Sequence, residues 1–280
     1  MVSASGDAGT VLAEAGPFLA SRPAEHNVIL TLLGVRAESG AEGRYWIVRD
    51  DSGTCVGLVL QSPLTFPAAV TPMPRDAARA AVEAIVADGV SLPGVNGEVA
   101  TAAAFAGHWA EVCGVGARPL IGMRLRQLGQ LRHPEGVTGL DRAARTDDLD
   151  LLCQWMDAFA AFTNEPPASA ADVRRRIDLG QLTVREVDGV AVCLVGHTLP
   201  VAGLVRIGPV FTPPEQRRRG YAGACVATVS AAARSQGHGC ILYTDLGNPT
   251  SNSVYRALGY ATISETIRYA FDESSTNALP

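Results

Sequence analysis

The 280-residue chain is 47% apolar and 18% charged, with a formal net charge of -5. This composition excludes a disordered chain, and the length allows one or two domains. The negative balance excludes nucleic-acid binding driven by overall charge.

In chain order, the first predicted element is a helix around Pro17–Leu33. The segment Val48–Ser62 (VRDDSGTCVGLVLQS) follows, reading as strand, glycine turn and strand, a β-hairpin. Val70-Thr71-Pro72 leads into an Ala-rich helix (RDAARAAVEAIV), which has no glycine at its entry. A helix around Ala100–Val112 and a strand Met123–Leu128 close the first half, and Pro134 and Gly136 mark a linker over His133–Gly139. Thr146-Asp147-Asp148 then looks like a capped entry to a helix Leu149–Phe162, which Asn164-Glu165-Pro166-Pro167 breaks. A second helix spans Ala170–Leu179, and its Arg174-Arg175-Arg176 run reads as a solvated face. Next come a hairpin in Val184–Thr198 and a strand Leu204–Phe211.

That later hairpin (VREVDGVAVCLVGHT) repeats the earlier one without a gap. Identities fall at Val48/Val184, Arg49/Arg185, Gly53/Gly189, Val56/Val192, Leu58/Leu194 and Val59/Val195. Phe211-Thr212-Pro213 likewise stands where the first half has Val70-Thr71-Pro72, so the chain reads as a duplication. The halves diverge at the next step. Here Arg217-Arg218-Arg219-Gly220-Tyr221-Ala222 follows the pattern R-x-x-G-x-A between an apolar strand and an apolar-periodic helix. A loop that aims backbone N–H groups outward at a helix N-terminus suits a pyrophosphate, and Gly220 and Ala222 allow close approach. A short strand Cys240–Thr244 follows, then a helix capped by Asn248 with Pro249 at its first position, carrying Tyr255 and ending at Gly259.

This ordered set of strand, phosphate loop, helix, strand and Asn-capped helix bearing a Tyr resembles the GNAT superfamily of N-acetyltransferases. The motifs cover about the last 60–70 residues; the layout of the whole chain is similar to two-lobed members whose first lobe is vestigial. The resemblance implies an α/β (α+β) fold of tandem GNAT-like lobes, each a mixed, mostly antiparallel sheet flanked by helices. Residues 1–132 are expected to form a degenerate lobe without a cofactor loop, and residues 133–280 the acetyltransferase domain.

By the same resemblance the cosubstrate is acetyl-CoA. Arg217, Arg218, Arg219, Gly220, Tyr221 and Ala222 would hold the pyrophosphate. Val210, Phe211 and Thr212 would line the pantetheine arm with their backbone, and Asn248 would bond the cofactor. Tyr255 would protonate the departing thiolate, and the N–H of Val210 is the candidate oxyanion donor because Pro209 has none. Some family members place a Glu five residues before the Asn. That position is Tyr243 here, so the base is unassigned, with Asp245 on the same strand face and the loop residue Glu165 as candidates. His197 is a strand-end polar residue with a lesser claim.

The expected activity is acetyl transfer from acetyl-CoA to a primary amine by direct attack, the acceptor being a small molecule or a peptide N-terminus. A non-catalytic acyl-CoA sensor and an enzyme for longer acyl chains are the rivals. With all 23 basic residues Arg, no lysine nucleophile is available. The six cysteines (55, 113, 153, 193, 225 and 240) form no CxxC pair and no ligand spacing with His, which predicts free thiols, no metal and a reducing, cytoplasmic setting. No basic segment followed by an apolar core opens the chain, so no secretory signal is expected. The apolar stretch Val190–Phe211 is broken by His197, Pro200, Arg206 and Pro209, so no membrane span is expected. The apolar first lobe is compatible with a homodimer interface or with one wall of an acceptor channel.

Overall fold

A computed structural model describes residues 1–163 and 166–272. In chain order the elements are β1 (Val2–Ser5), α1 (Ala8–Ser21), α2 (Asn27–Ser39), β2 (Arg44–Arg49), β3 (Cys55–Gln61), β4 (Ala68–Val70), α3 (Arg75–Ala87), β5 (Gly94–Glu98), α4 (Val99–Cys113) and β6 (Ala117–Leu128). They continue as β7 (Leu140–Ala143), α5 (Leu149–Thr163), α6 (Ala170–Asp178), β8 (Leu182–Val187), β9 (Val190–His197), β10 (Leu204–Phe211), α7 (Tyr221–Ser235), β11 (Gly239–Asp245), α8 (Pro249–Leu258) and β12 (Tyr260–Phe271). The single helix expected at Pro17–Leu33 is two helices. Pro23 disfavours helical backbone at the residue before it, and Arg22 accordingly leaves the helix at φ -135° and ψ 64°.

The chain forms two compact units that interleave along the sequence. The first holds Met1–Leu125, Asp245–Gly247 and the residues from Ile263 onward; the second holds Arg126–Thr244 and Asn248–Thr262. In the first unit β1, β2, β3 and β4 pair antiparallel in succession, β4 and β5 are parallel, and the C-terminal strand β12 pairs antiparallel with β5 (Thr266↔Glu98 to Ala270↔Gly94). In the second, β7, β8, β9 and β10 are antiparallel neighbours, and β10 and β11 are parallel. Both parallel steps are made through a helix, α3 in one unit and α7 in the other, as a crossover connection requires. The mixed, mostly antiparallel sheets flanked by helices are the expected fold class.

Alternation along the strands gives each sheet two apolar faces. In the first unit Trp46, Val48 and Val59 pack under α3 and α4, while Tyr45, Ile47, Leu58 and Leu60 pack under α1 and α2. In the second, Val195, Val205, Ile207 and Leu242 face α7 and α8, while Val184, Leu194 and Phe211 face α5 and α6. The duplicated hairpin carries the same local devices in both copies. Gly53 (φ 83°) and Gly189 (φ 78°) take the left-handed turn position, and each first strand has its register irregularity beside the matching Arg49 or Arg185.

The six cysteines are free thiols. Among the described residues no group of His, Cys, Asp and Glu is placed to hold a metal ion, and no helix is long and apolar enough to cross a membrane.

Candidate active site

In the second unit the β10–β11 ladder is parallel from Leu204↔Gly239 to Ile207↔Leu242 and goes no further, although β10 runs on to Phe211. The cause lies in β10 itself. Against β9, Ile207 pairs with His197 and Val210 with Val195, so three steps on β10 oppose two on β9. The extra residue falls at Gly208-Pro209; Gly208 sits at φ 145°, and Pro209 has no N–H for a ladder bond. The two strands therefore part at the bulge, and Val210, Phe211 and Thr212 lie beyond the parting.

The first unit lacks this opening. Its β4–β5 ladder pairs Ala68↔Val95 through Val70↔Gly97, up to the last residue of β4. Past the strand end the Met73 N–H donates to Thr101 Oγ1 (3.2 Å), which itself donates to the Met73 carbonyl (3.3 Å). Helix α3 then starts directly after Pro74.

In the second unit a nine-residue loop connects β10 to α7. A single 3-10 turn, Pro214–Gln216, carries it away from the strand, and Arg217 Nε donates back to the Thr212 carbonyl at 3.0 Å. Arg218 (φ 63°) and Gly220 (φ 80°) are both left-handed, a conformation that costs a non-glycine residue about 1–2 kcal/mol. Backbone turning of this kind collects N–H groups into anion-binding concavities. Gly220 is the N-cap of the 15-residue α7, whose first turn has neither a side-chain cap nor an acidic residue. Its first N–H groups and the positive end of the helix dipole are thus presented by backbone alone. Arg217, Arg218 and Arg219 are exposed around this end, whereas the Tyr221 side chain is buried in the core under α7, so Tyr221 can meet a ligand only through its backbone.

A set of residues not singled out in the sequence holds the loop from behind. A Cβ on Gly220 would lie 3.0 Å from Val137 Cγ2. Val137 is fixed because the buried Arg185 donates to the carbonyls of Val137, Thr138 and Gly139 (3.1, 3.1 and 3.2 Å) and to both oxygens of Asp141 (2.8 Å each). Asp141 also accepts from Thr228 Oγ1 on α7. The signal available in the sequence was the Arg49/Arg185 identity in the repeated hairpin.

Helix α8 begins as its Asn-Pro start predicts. Asn248 Oδ1 accepts from the Ser251 N–H at 3.0 Å, so the oxygen of this side chain serves the cap. Tyr255 lies two turns into α8, buried in the α7–α8 core, with its ring edge-on to Tyr260 at 6.1 Å. Burial pushes its phenol up to about 12, partly offset by a hydrogen bond with Ser251. The proton therefore stays on Tyr255 throughout the neutral range. Asp245 ends β11, and its Oδ1 accepts from the Gly247 N–H at 2.7 Å in a tight turn. His197 is half-buried, with Nδ1 3.0 Å from the Thr198 carbonyl. Glu165 lies outside the described residues.

Residues 194–269 match the family model described as FR47-like protein. No curated protein matches the chain in sequence. Among solved structures, it is similar to an acetyltransferase of the GNAT family from Colwellia psychrerythraea, at 12% identity and a TM-score of 0.60 over 97% of this chain and 100% of that one. It is similar to a GCN5-related N-acetyltransferase from Sphaerobacter thermophilus at 18% identity and a TM-score of 0.59, covering 96% and 94%. A tandem GNAT protein from the clavulanic acid biosynthesis pathway superposes with a TM-score of 0.59 at 13% identity, covering 99% and 100%. At these identities the likeness to the solved structures is one of fold. The fold of the chain is similar to that of tandem, two-lobed GNAT acetyltransferases, and the family match covers residues 194–269.

Proposed function

We propose that the protein is an acyl-CoA-dependent N-acyltransferase, with acetyl-CoA as donor and a primary amine as acceptor, and that its second lobe alone performs the reaction. The observation that carries this reading is the parting of β10 from β11 directly before a left-handed glycine cap on a helix whose first turn is uncapped by side chains. The residues present suit an acyl-CoA. The backbone of Arg217–Ala222 and the three exposed Arg side chains would hold its pyrophosphate. The parted edge at Val210, Phe211 and Thr212 would take its pantetheine amides as a strand takes a neighbour.

In the reaction an amine lone pair attacks the thioester carbonyl, the resulting tetrahedral intermediate expels the thiolate, and a proton must reach the sulfur. The Val210 N–H would stabilise the oxyanion, an interaction worth about 3 kcal/mol in such sites. Tyr255, protonated and buried, donates a hydrogen bond to the departing sulfur. With a pKa near 12 it is a weak acid, so it serves as a standing donor more than as a complete proton source. Asn248 steadies α8 through its cap and has its amide group left for the cofactor. Glu165 is assigned the role of meeting the acceptor.

Titration calorimetry with acetyl-CoA tests the reading. One site per chain at micromolar affinity is expected. Two sites would remove the claim that the first lobe is silent, and no binding would remove the enzyme claim. Tyr255→Phe should lower turnover about 10- to 100-fold while leaving acetyl-CoA affinity within about twofold. Equal turnover would take Tyr255 out of the mechanism. A non-catalytic acyl-CoA sensor would instead bind tightly and release no coenzyme A with any amine.

A further inference from the structure

The face of the second sheet under α5 and α6 is apolar at Val184 and Leu194 and becomes polar at its β10–β11 side. Val205 and Ile207 of β10, and Cys240 and Leu242 of β11, point into the α7–α8 core. Alternation therefore turns Arg206, Gly208 and Tyr243 toward the α5–α6 layer. From that layer Arg176 of α6 reaches in, and its Nη2 donates to the Gly208 carbonyl at 3.2 Å, at the bulge where β10 and β11 part. Gly196 on β9 makes the room for it. A Cβ there would lie 2.5 Å from Arg176 Nη2 and 2.9 Å from both the Gly208 oxygen and Pro209 Cδ.

Arg176 differs from its neighbours on the helix. Arg174 is exposed and paired with Asp178 one turn on, and Arg175 is exposed. The bond to Gly208 is the one hydrogen bond that the described residues give the Arg176 side chain, which carries five N–H donors. Burial, then Arg175 and Arg206, pull its pKa down to about 10, and burial lowers that of Arg206 as well. A half-buried guanidinium in an apolar layer ordinarily has an anionic partner.

We infer that Arg176 is the specificity-determining residue of the acceptor pocket, and that the acceptor is an amine that also carries a carboxylate. This rests on the acyltransferase reading above, because it is that reading that puts the reacting carbonyl beside Val210, two residues past Gly208. A planar guanidinium fork matches a carboxylate and brings a positive field to it. The same field rejects polyamines and other acceptors with added positive charge. It also favours the neutral form of the attacking amine, which eases the need for a strong base where the strand carries Tyr243.

The test uses the full chain and a panel of amino acids (α-amino acids, β-alanine, 4-aminobutyrate), each paired with its carboxamide, and spermidine. Binding to the protein with and without saturating coenzyme A is read by calorimetry, and kcat/KM with acetyl-CoA is read in parallel. The wild type should favour at least one acid over its carboxamide by ~30-fold or more, the usual size of a desolvated charge contact. Arg176→Gln should reduce that ratio to near one with acetyl-CoA affinity unchanged, and Arg176→Lys should retain part of it. Carboxamides or spermidine equal to or better than the acids, no panel member binding, or equal loss for acid and carboxamide in Arg176→Gln would each overturn the inference. Acid-over-carboxamide binding that persists where acetyl-CoA does not bind would keep the Arg176 site and discard the acyltransferase reading.

Discussion

Gly220→Val is expected to reduce acetyl-CoA affinity by ~100-fold or more, equivalent to about 2.7 kcal/mol. Two separate effects combine. At φ 80° a β-branched residue is strained, and its Cβ would press on Val137 Cγ2 at 3.0 Å. The Arg185–Asp141 pair behind Val137 leaves that residue little freedom to yield. The new side chain would also stand over the first turn of α7, where the anion must come close to backbone. Gly220→Ala separates the two effects. It carries most of the backbone strain, about 1–2 kcal/mol, but screens the N–H groups far less, so its affinity loss should be nearer tenfold. Calorimetric titration beside thermal unfolding decides the matter. A lowered melting temperature with unchanged affinity in both variants would show that this loop does not hold the cofactor.

Arg126→Ala should cost about 3 kcal/mol of stability, a large share of the roughly 5–15 kcal/mol that holds an ordinary domain together. Arg126 is 2% exposed. Its Nη2 donates to Asn252 Oδ1 at 3.0 Å, and Nε and Nη1 reach Thr244 Oγ1 and the Tyr260 carbonyl at 3.4 Å. Asn252 in turn accepts from Thr244 (2.8 Å) and donates to the Asn248 carbonyl at 2.9 Å. Removing the guanidinium leaves a cavity and partly unsatisfied acceptors at the end of β11 and the start of α8. Urea denaturation should show a lower midpoint at an unchanged slope. The same network predicts that residues 133–280 expressed alone will not fold cooperatively, since they lack Arg126. A cooperative transition of normal stability for that fragment would show the network to be dispensable.

Much of the loop and of helices α7 and α8 was legible in the sequence because each depends on a few consecutive residues. Asn248-Pro249 caps α8 and Gly259 ends it in a left-handed conformation, as those residue types dictate. Gly53 and Gly189 mark their turns for the same reason, and Gly220 marks the start of α7. Helices α5 and α6 run within a residue or so of their apolar periodicity.

What the chain did not declare is carried by contacts between residues far apart in sequence. Residues Thr266–Ala270 of β12 pair with β5, so most of the C-terminal strand belongs to the first unit, while Arg126 belongs to the second; boundary signals such as Pro134 and Gly136 mark a connection but say nothing of which strands meet. Arg176 read as one of three solvated arginines until the bulge at Gly208 and the missing side chain at Gly196 gave its guanidinium a place on the sheet. Backbone conformation and capping are local and are written in residue type. Strand partnership and the burial of a long cation depend on which surfaces meet, and only the tertiary structure decides that.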